Sequence, residues 1–276
     1  MIERVAKAGT RAVLVAVLMG MPTVLVPGYA PDAVQLILLL SLIAAVLTFV
    51  EYVGDYPSII EFRDAPPFNR MRFLALFLTL FVLSMILRGA SNPSALSQAL
   101  TQAGTVLGHA MDFPYSPVRL MVLLRTEAMS AADVAMIRTS AGIAYLISLA
   151  TMIAFFVTVR LLNWPIRRGA FNFWVNLPLF DPTTGGDVLY RLKRDGQVNT
   201  ALGFLLPFLI PAVMKLASEV IDPISLTEPH TLIWTVSAWA FLPASLIMRG
   251  VALMRIAQLI EEKRRRAYAQ ADLQAI

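Results

Sequence analysis

The charge-free interval between Arg138 and Arg160 constrains this chain more than any other stretch of its sequence. Ser130 and Asp133 precede it at the spacing of a capping box, in which a hydroxyl and a carboxylate accept hydrogen bonds from the free N–H groups of a helix start. At about 1.5 Å per residue, a helix over this interval spans roughly the 30 Å hydrocarbon core of a bilayer. The interval therefore predicts a membrane-spanning helix.

Further apolar segments flank this helix on both sides. The chain is 58% hydrophobic and 15% charged, whereas soluble domains are about 25% charged. Its apolar residues also come in long blocks rather than in alternation, as in helical membrane proteins. We therefore predict an all-α, polytopic membrane protein with one domain over residues 1–276. Six transmembrane helices are expected at residues 11–27, 33–53, 71–88, 134–163, 198–221 and 231–250, followed by a helical tail at 251–276.

Two segments between the predicted spans are expected to be structured. Helix-start signals at Asn92-Pro93 and Ser116-Pro117 predict two outer amphipathic helices that lie on the membrane surface or cap the bundle. Residues 166–197 form a loop that combines aromatic with basic side chains, which is typical of the headgroup layer of a membrane. We predict contacts with a partner or with lipid from four residues of this loop: Arg167, Arg168, Phe173 and Trp174.

Basic residues are divided unequally between the two sides of the predicted bundle. Six spans place both termini on one side, and 18 of the 23 lysines and arginines fall there, while the other five are Arg88, Arg119, Arg125, Arg138 and Lys215. By the positive-inside rule, both termini are then cytoplasmic and segment 89–129 is outside. This bias favours the inner membrane of a bacterium. It also explains the net charge of +5 by contact with anionic lipids rather than nucleic acid.

The fifth predicted span contains a possible gate or kink. Pro207 and Pro211 stand one helical turn apart, so they can either bend the helix or unwind it and free carbonyl groups for an ion or solute. We favour the bend. Lys215 follows at a spacing that would let it pair with Glu219 on one helix face, and it falls in the outer third of the span, where its side chain can reach the headgroups.

The sequence offers few residues for catalysis or metal binding. It contains no cysteine and only His109 and His230, which excludes thiolate chemistry and disfavours a metal or haem site. We therefore expect no cofactor. The Asp-Pro-Thr-Thr-Gly-Gly sequence at 181–186 suggests a phosphate-binding loop or an aspartyl nucleophile, but these residues are also common in turns. We favour the turn, so no catalytic residue is assigned and enzymatic activity is the least favoured hypothesis.

Two functions remain open at this stage. The first is a non-catalytic inner-membrane subunit that serves as an accessory, assembly or scaffolding component of a larger membrane complex, with other membrane subunits and anionic lipids as partners. It follows from apolar spans without buried acid pairs or runs of arginines. The alternative is a transporter of a lipid-like or apolar solute, which predicts a cavity beside Pro207 and Pro211.

Overall fold

The computed structural model describes residues 2–29, 31–162, 164–165, 171–180, 186–220 and 224–274. Within these ranges the chain is all-helical and contains no strand. Six helices are long and apolar enough to cross a membrane, which confirms the predicted six-span class. The helices are α1 (Ile2–Leu25), α2 (Pro31–Val53), α3 (Phe68–Ser91), α4 (Ala95–Met111), α5 (Pro117–Val122), α6 (Ala131–Leu161), α7 (Phe173–Asn176), α8 (Val188–Ala217) and α9 (Pro229–Gln274).

Helix ends follow local signals in the sequence. At the start of α6, the Ser130 hydroxyl accepts a hydrogen bond from the backbone N–H of Asp133 (3.2 Å), and the Asp133 carboxylate accepts one from the N–H of Ser130 (2.9 Å). This is the predicted capping box. Helix α8 ends at Ala217, four residues before the predicted end of the fifth span. Helix α9 is continuous through both the sixth predicted span and the predicted tail.

Helices α3, α6 and α9 form the centre of the bundle. The larger cluster of buried apolar side chains lies among them and includes Leu83 of α3, Ile137 of α6 and Trp239 of α9. Helices α1 and α2 form a hairpin on one flank, and α2 contacts only α1 among the described helices. Its buried residues are Ser41 and Glu51, and the leucines of its outer face, such as Leu36, Leu39 and Leu42, are exposed.

Helix α8 packs closely against α9 on the other flank. A Cβ atom on Gly203 would lie 2.7 Å from the carbonyl oxygen of Pro243, and one on Gly250 would lie 2.7 Å from the carbonyl oxygen of Gly196. Real Cβ atoms do not approach a backbone oxygen so closely, so glycine is required at both positions. Small residues of this kind let the backbones of membrane helices meet.

The segment between α3 and α6 forms two helices, α4 and α5. Helix α4 begins after Ser94, whose hydroxyl accepts the N–H of Ser97 (3.1 Å), and α5 begins after Ser116, whose hydroxyl accepts the N–H of Arg119 (3.0 Å). Helix α4 packs on α3 and α6, where Gly108 lies directly against Gly142. The location of α4 and α5 at the outer membrane surface remains a prediction.

Candidate functional site

The candidate site lies at one end of the bundle, which we call the basic end. Here α1, α3 and α8 begin, α2 and α6 end, and two described loop segments, 54–67 and 171–180, meet. The N-terminal part of α1 is tied to this end because Arg4 Nη1 donates to the carboxylate of Asp55 at 2.7 Å. This hydrogen bond lowers the pKa of the Asp55 carboxyl below its usual value.

Residue Glu51, at the end of α2, organises loop 54–67. Its carboxylate is buried and accepts hydrogen bonds from the backbone N–H groups of Ser58, Ile59 and Ile60 at 3.0–3.1 Å. Three such donors replace the water that a buried carboxylate loses. The guanidinium of Arg63 then donates to the backbone oxygens of Glu51 (2.7 Å), Gly54 (2.8 Å) and Asp55 (3.0 Å). The hydrogen bonds between the Glu51 and Arg63 side chains and the loop backbone thus hold loop 54–67 in one conformation.

Asn176 joins the two loops. Its backbone oxygen accepts the N–H of Phe62 at 2.6 Å, and its side-chain oxygen accepts the N–H of Asp64 at 3.0 Å. The Asn176 side-chain amide also donates to the backbone oxygen of Asn172 at 2.9 Å. Phe62 has φ = 54°, a left-handed conformation that costs a bulky residue free energy. Burial of its ring and the bond to Asn176 offset that cost.

An aromatic cluster lies beneath these loops and includes residues from both of them. Trp164 is buried, donates its indole N–H to the backbone oxygen of Ala65 at 3.1 Å, and contacts the rings of Phe62, Phe68 and Phe155. Ring centroids 4.5–7 Å apart are the favoured geometry for such pairs. We call this cluster, with loops 54–67 and 171–180, the aromatic cap; its rings are Phe62, Phe68, Phe155, Trp164, Phe171, Phe173 and Phe180.

The two predicted contact residues in the described part of the loop play different roles. Phe173 is turned inward, edge-to-face against Phe171 with ring centroids 5.3 Å apart. Trp174 is directed outward and is 54% exposed, and nearby Leu179 is 74% exposed. The other two predicted contact residues, Arg167 and Arg168, lie outside the described residues. The cap therefore carries large apolar side chains on a surface whose backbone is fixed.

A charged group connects the cap to the centre of the bundle. Arg249 of α9 binds Glu61 of the cap in a two-pronged pair, with Nε–Oε2 at 2.6 Å and Nη2–Oε1 at 2.7 Å. Arg72 lies beside them, with its guanidinium over the rings of Phe68 (5.5 Å) and Phe241 (5.8 Å). Glu61 thus forms its ion pair with Arg249, and the aromatic faces stabilise the guanidinium of Arg72.

The residues of the possible gate or kink lie far from this cap along α8. Pro207 and Pro211 are buried, and the indole N–H of Trp239 of α9 donates to the backbone oxygen of Pro207 at 2.9 Å. Lys215 is exposed, and Glu219 falls in the turn after the helix rather than on the same helix face. No ion pair joins this lysine to any described carboxylate.

The opposite end of the bundle holds another buried carboxylate. Asp112, after α4, pairs with Arg119 of α5 at 2.9 Å and with Arg138 of α6 at 2.7 Å. This cluster fixes the three helices relative to one another. His109 is exposed on α4, and His230 stacks on the ring of Tyr29.

Within the described ranges, no group of three or more His, Asp or Glu side chains is placed to hold a metal ion. The expected turn at Asp181 lies outside those ranges. Comparison of the chain with family models, with curated proteins and with solved structures gives no match.

Several residues of the cap were not predicted from the sequence. Asn176 and Glu61 have no local motif, and each acts through a partner distant in the chain. The one signal in the sequence is that Asn176 stands within the aromatic run at 171–180. A buried polar residue among rings needs hydrogen-bond partners, and the backbone of the other loop supplies them.

Proposed function

We propose that this chain is a non-catalytic, multi-pass membrane subunit that serves as an accessory, assembly or scaffolding component of a larger membrane protein complex. The observation that carries the proposal is the aromatic cap. It is a surface at a bundle end, built from two loops and the short helix α7 and held by hydrogen bonds, and it displays Trp174 and Leu179 outward. Aromatic anchors that lose little entropy on binding are typical of protein contact surfaces.

The rigidity of the cap supports contact with a protein. Loop residues usually connect helices with few long-range contacts, but here Asn176, Glu51 and Arg63 hold both loops in one conformation. Within this arrangement Phe62 has a left-handed backbone conformation. Backbone strain of this kind is concentrated at functional sites. A pre-organised surface avoids the cost of ordering on association.

The chemistry of the cap indicates the kind of partner. Its exposed apolar side chains, Tyr56, Ile59, Trp174 and Leu179, stand at the end of the bundle that carries most of the basic residues. The complementary surface is apolar with an acidic rim, at the membrane boundary of another membrane subunit. The exposed apolar face of α2 provides a second lateral surface for subunits or lipid.

The proposal includes an orientation: both termini lie in the cytoplasm and the membrane is the inner membrane of a bacterium. The charge bias between the two sides supports this. The chain has no cysteine, so a single introduced cysteine shows on which side of the membrane its position lies. Glu127 and Ala269 are both exposed and stand on opposite predicted sides, outer and cytoplasmic. A membrane-impermeant maleimide should label E127C in intact spheroplasts and A269C only after lysis. The reverse pattern would contradict the orientation.

A photoreactive amino acid placed at Trp174 tests the cap as a contact surface. Irradiation of intact membranes should link this position to one protein of constant mass. The control is the same amino acid at Val220, which is also exposed but lies at the opposite end, and it should not give that product. Links to lipid alone at Trp174, or the same protein at both positions, would count against the proposal.

The alternative function, transport of a lipid-like solute, remains a prediction. It predicts open space beside Pro207 and Pro211, whereas both prolines are buried and the Pro207 carbonyl oxygen accepts a hydrogen bond from Trp239. We therefore do not propose it.

A further inference from the structure

A basic cleft opens between α6, α8 and α9 near the basic end. Its volume is about 460 Å³, within the range of roughly 300–1,000 Å³ found for small-molecule sites. Arg160 of α6 and Arg255 of α9 line it, together with Gln197 of α8 and Gln258 of α9. These four side chains offer only hydrogen-bond donors and amide oxygens, without a carboxylate.

Neither arginine in the cleft has an acidic partner among the described residues. The guanidinium of Arg160 lies over the ring of Phe156 at 5.5 Å, and Nε of Arg255 donates to the backbone oxygen of Trp164 at 3.3 Å. Other arginines nearby do have carboxylate partners, such as Arg249 with Glu61. The cleft thus holds two positive charges whose remaining N–H donors have no acceptor among the described residues.

The cleft lies where charge-free sequence meets charged sequence on all three helices. Arg160 ends the charge-free interval of α6, the charge-free part of α8 begins after Asp195, and that of α9 ends at Arg249. This boundary corresponds to the headgroup level of a bilayer. Below the cleft, exposed Leu202 and Leu205 continue along α8, so an acyl chain can follow the helix from the cleft into the apolar layer.

We infer that this cleft binds the phosphate group of an anionic phospholipid, with Arg160 and Arg255 on the phosphate oxygens and the acyl chains along α6 and α8. Guanidinium groups match phosphate geometry through two parallel hydrogen bonds. Basic pockets between membrane helices are a known form of anionic headgroup recognition. This site adjoins the cap through the bond from Arg255 to Trp164, but it lies between helices and its existence does not depend on the proposed function.

Native mass spectrometry of the full chain, titrated with phosphatidylglycerol or phosphatidylcholine, tests the inference. The wild type should bind one phosphatidylglycerol at least about tenfold more tightly than phosphatidylcholine. The double variant R160Q/R255Q should lose that preference. The control R194Q/R266Q removes two exposed charges near the same end and should keep it. Equal loss in both double variants would show a diffuse charge effect and overturn the site.

A second variant separates loss of charge from loss of shape. Ala201 is exposed and lines the cleft, so A201F fills the space while both arginines remain, and it should weaken phosphatidylglycerol binding by about tenfold or more. Inorganic phosphate added to the same titration distinguishes a lipid headgroup from free phosphate as the ligand of the cleft. It should leave lipid binding unchanged. Full displacement of the lipid by inorganic phosphate, or unchanged binding in A201F, would contradict a lipid site in this cleft.

Discussion

At the scale of single residues, Trp239 compensates for a defect that Pro211 creates in α8. Proline has no backbone N–H, so the carbonyl oxygen of Pro207, one turn earlier, has no partner within the helix. The indole N–H of Trp239 donates to that oxygen at 2.9 Å, and the tryptophan is buried in the centre of the bundle. Two residues on different helices therefore act as a unit, and the carbonyl oxygen freed by Pro211 keeps a hydrogen-bond donor.

The variant W239F should lower the free energy of unfolding by about 1–2 kcal/mol, since it leaves a buried carbonyl without a donor. In a P211A background, the backbone N–H of residue 211 can donate to the Pro207 carbonyl oxygen. W239F should therefore lower the free energy of unfolding clearly less in that background. Unfolding in mixed detergent micelles measures the four stabilities of this cycle. The control W234F alters a half-buried tryptophan of the same helix. An identical cost of W239F with and without Pro211 would refute the compensation.

The extent to which single residues could be predicted depended on the distance to their partners. The capping box formed by Ser130 and Asp133 at the start of α6 was predictable because both residues lie within one helical turn. A bend at Pro207 and Pro211 stays a prediction, and the donor that occupies the carbonyl oxygen freed by Pro211 lies 32 residues away on another helix. Asn176 and Phe62 were not predictable for the same reason, because their bond joins positions separated by more than a hundred residues.

At the scale of helices, α8 is held to the bundle mainly by its contact with α9. Gly196 and Gly203 of α8 face Gly250 and Pro243 of α9, and the two backbones approach too closely for a side chain between them. Within a bilayer there is little hydrophobic drive for helices to associate, so this close van der Waals packing stabilises the contact. The six spans were predictable from composition because length and apolarity decide them. Their packing partners were not.

The variant G250A should destabilise the α8–α9 contact by about 1–3 kcal/mol, because its Cβ would lie 2.7 Å from the carbonyl oxygen of Gly196 and the backbones must separate. The variant G9A is the matched control, since a Cβ there meets no atom within 4 Å. It should be neutral or stabilising by up to about 1 kcal/mol, as expected for alanine in a helix. Thermal unfolding in detergent compares the two. Equal stability of both variants would mean that the two helices are not in tight contact.

At the scale of the whole molecule, the bundle has a tightly packed centre and two flanks: α2 contacts only α1 among the described helices, and α8 packs closely on α9. Helices α3, α6 and α9 bury most of the core, whereas α2 and much of α8 present apolar side chains outward. The carboxylates of Glu51, Glu61 and Asp112 have hydrogen-bond or ion-pair partners, and the aromatic cap is fixed at the basic end. Composition predicts the membrane class, but it cannot predict the cap, because the cap depends on two loops that are far apart in the chain.

The mass of the particle extracted from the native membrane tests the account most directly. A tag on the C-terminus allows gentle extraction in lipid nanodiscs, and mass photometry then gives the size of each particle. We expect a complex of fixed composition that is larger than the 30.4 kDa chain, and we expect W174A combined with L179A to shift it toward the free subunit without loss of membrane insertion. A wild-type particle that contains only this chain, or a complex unchanged by both cap substitutions, would contradict the central claim.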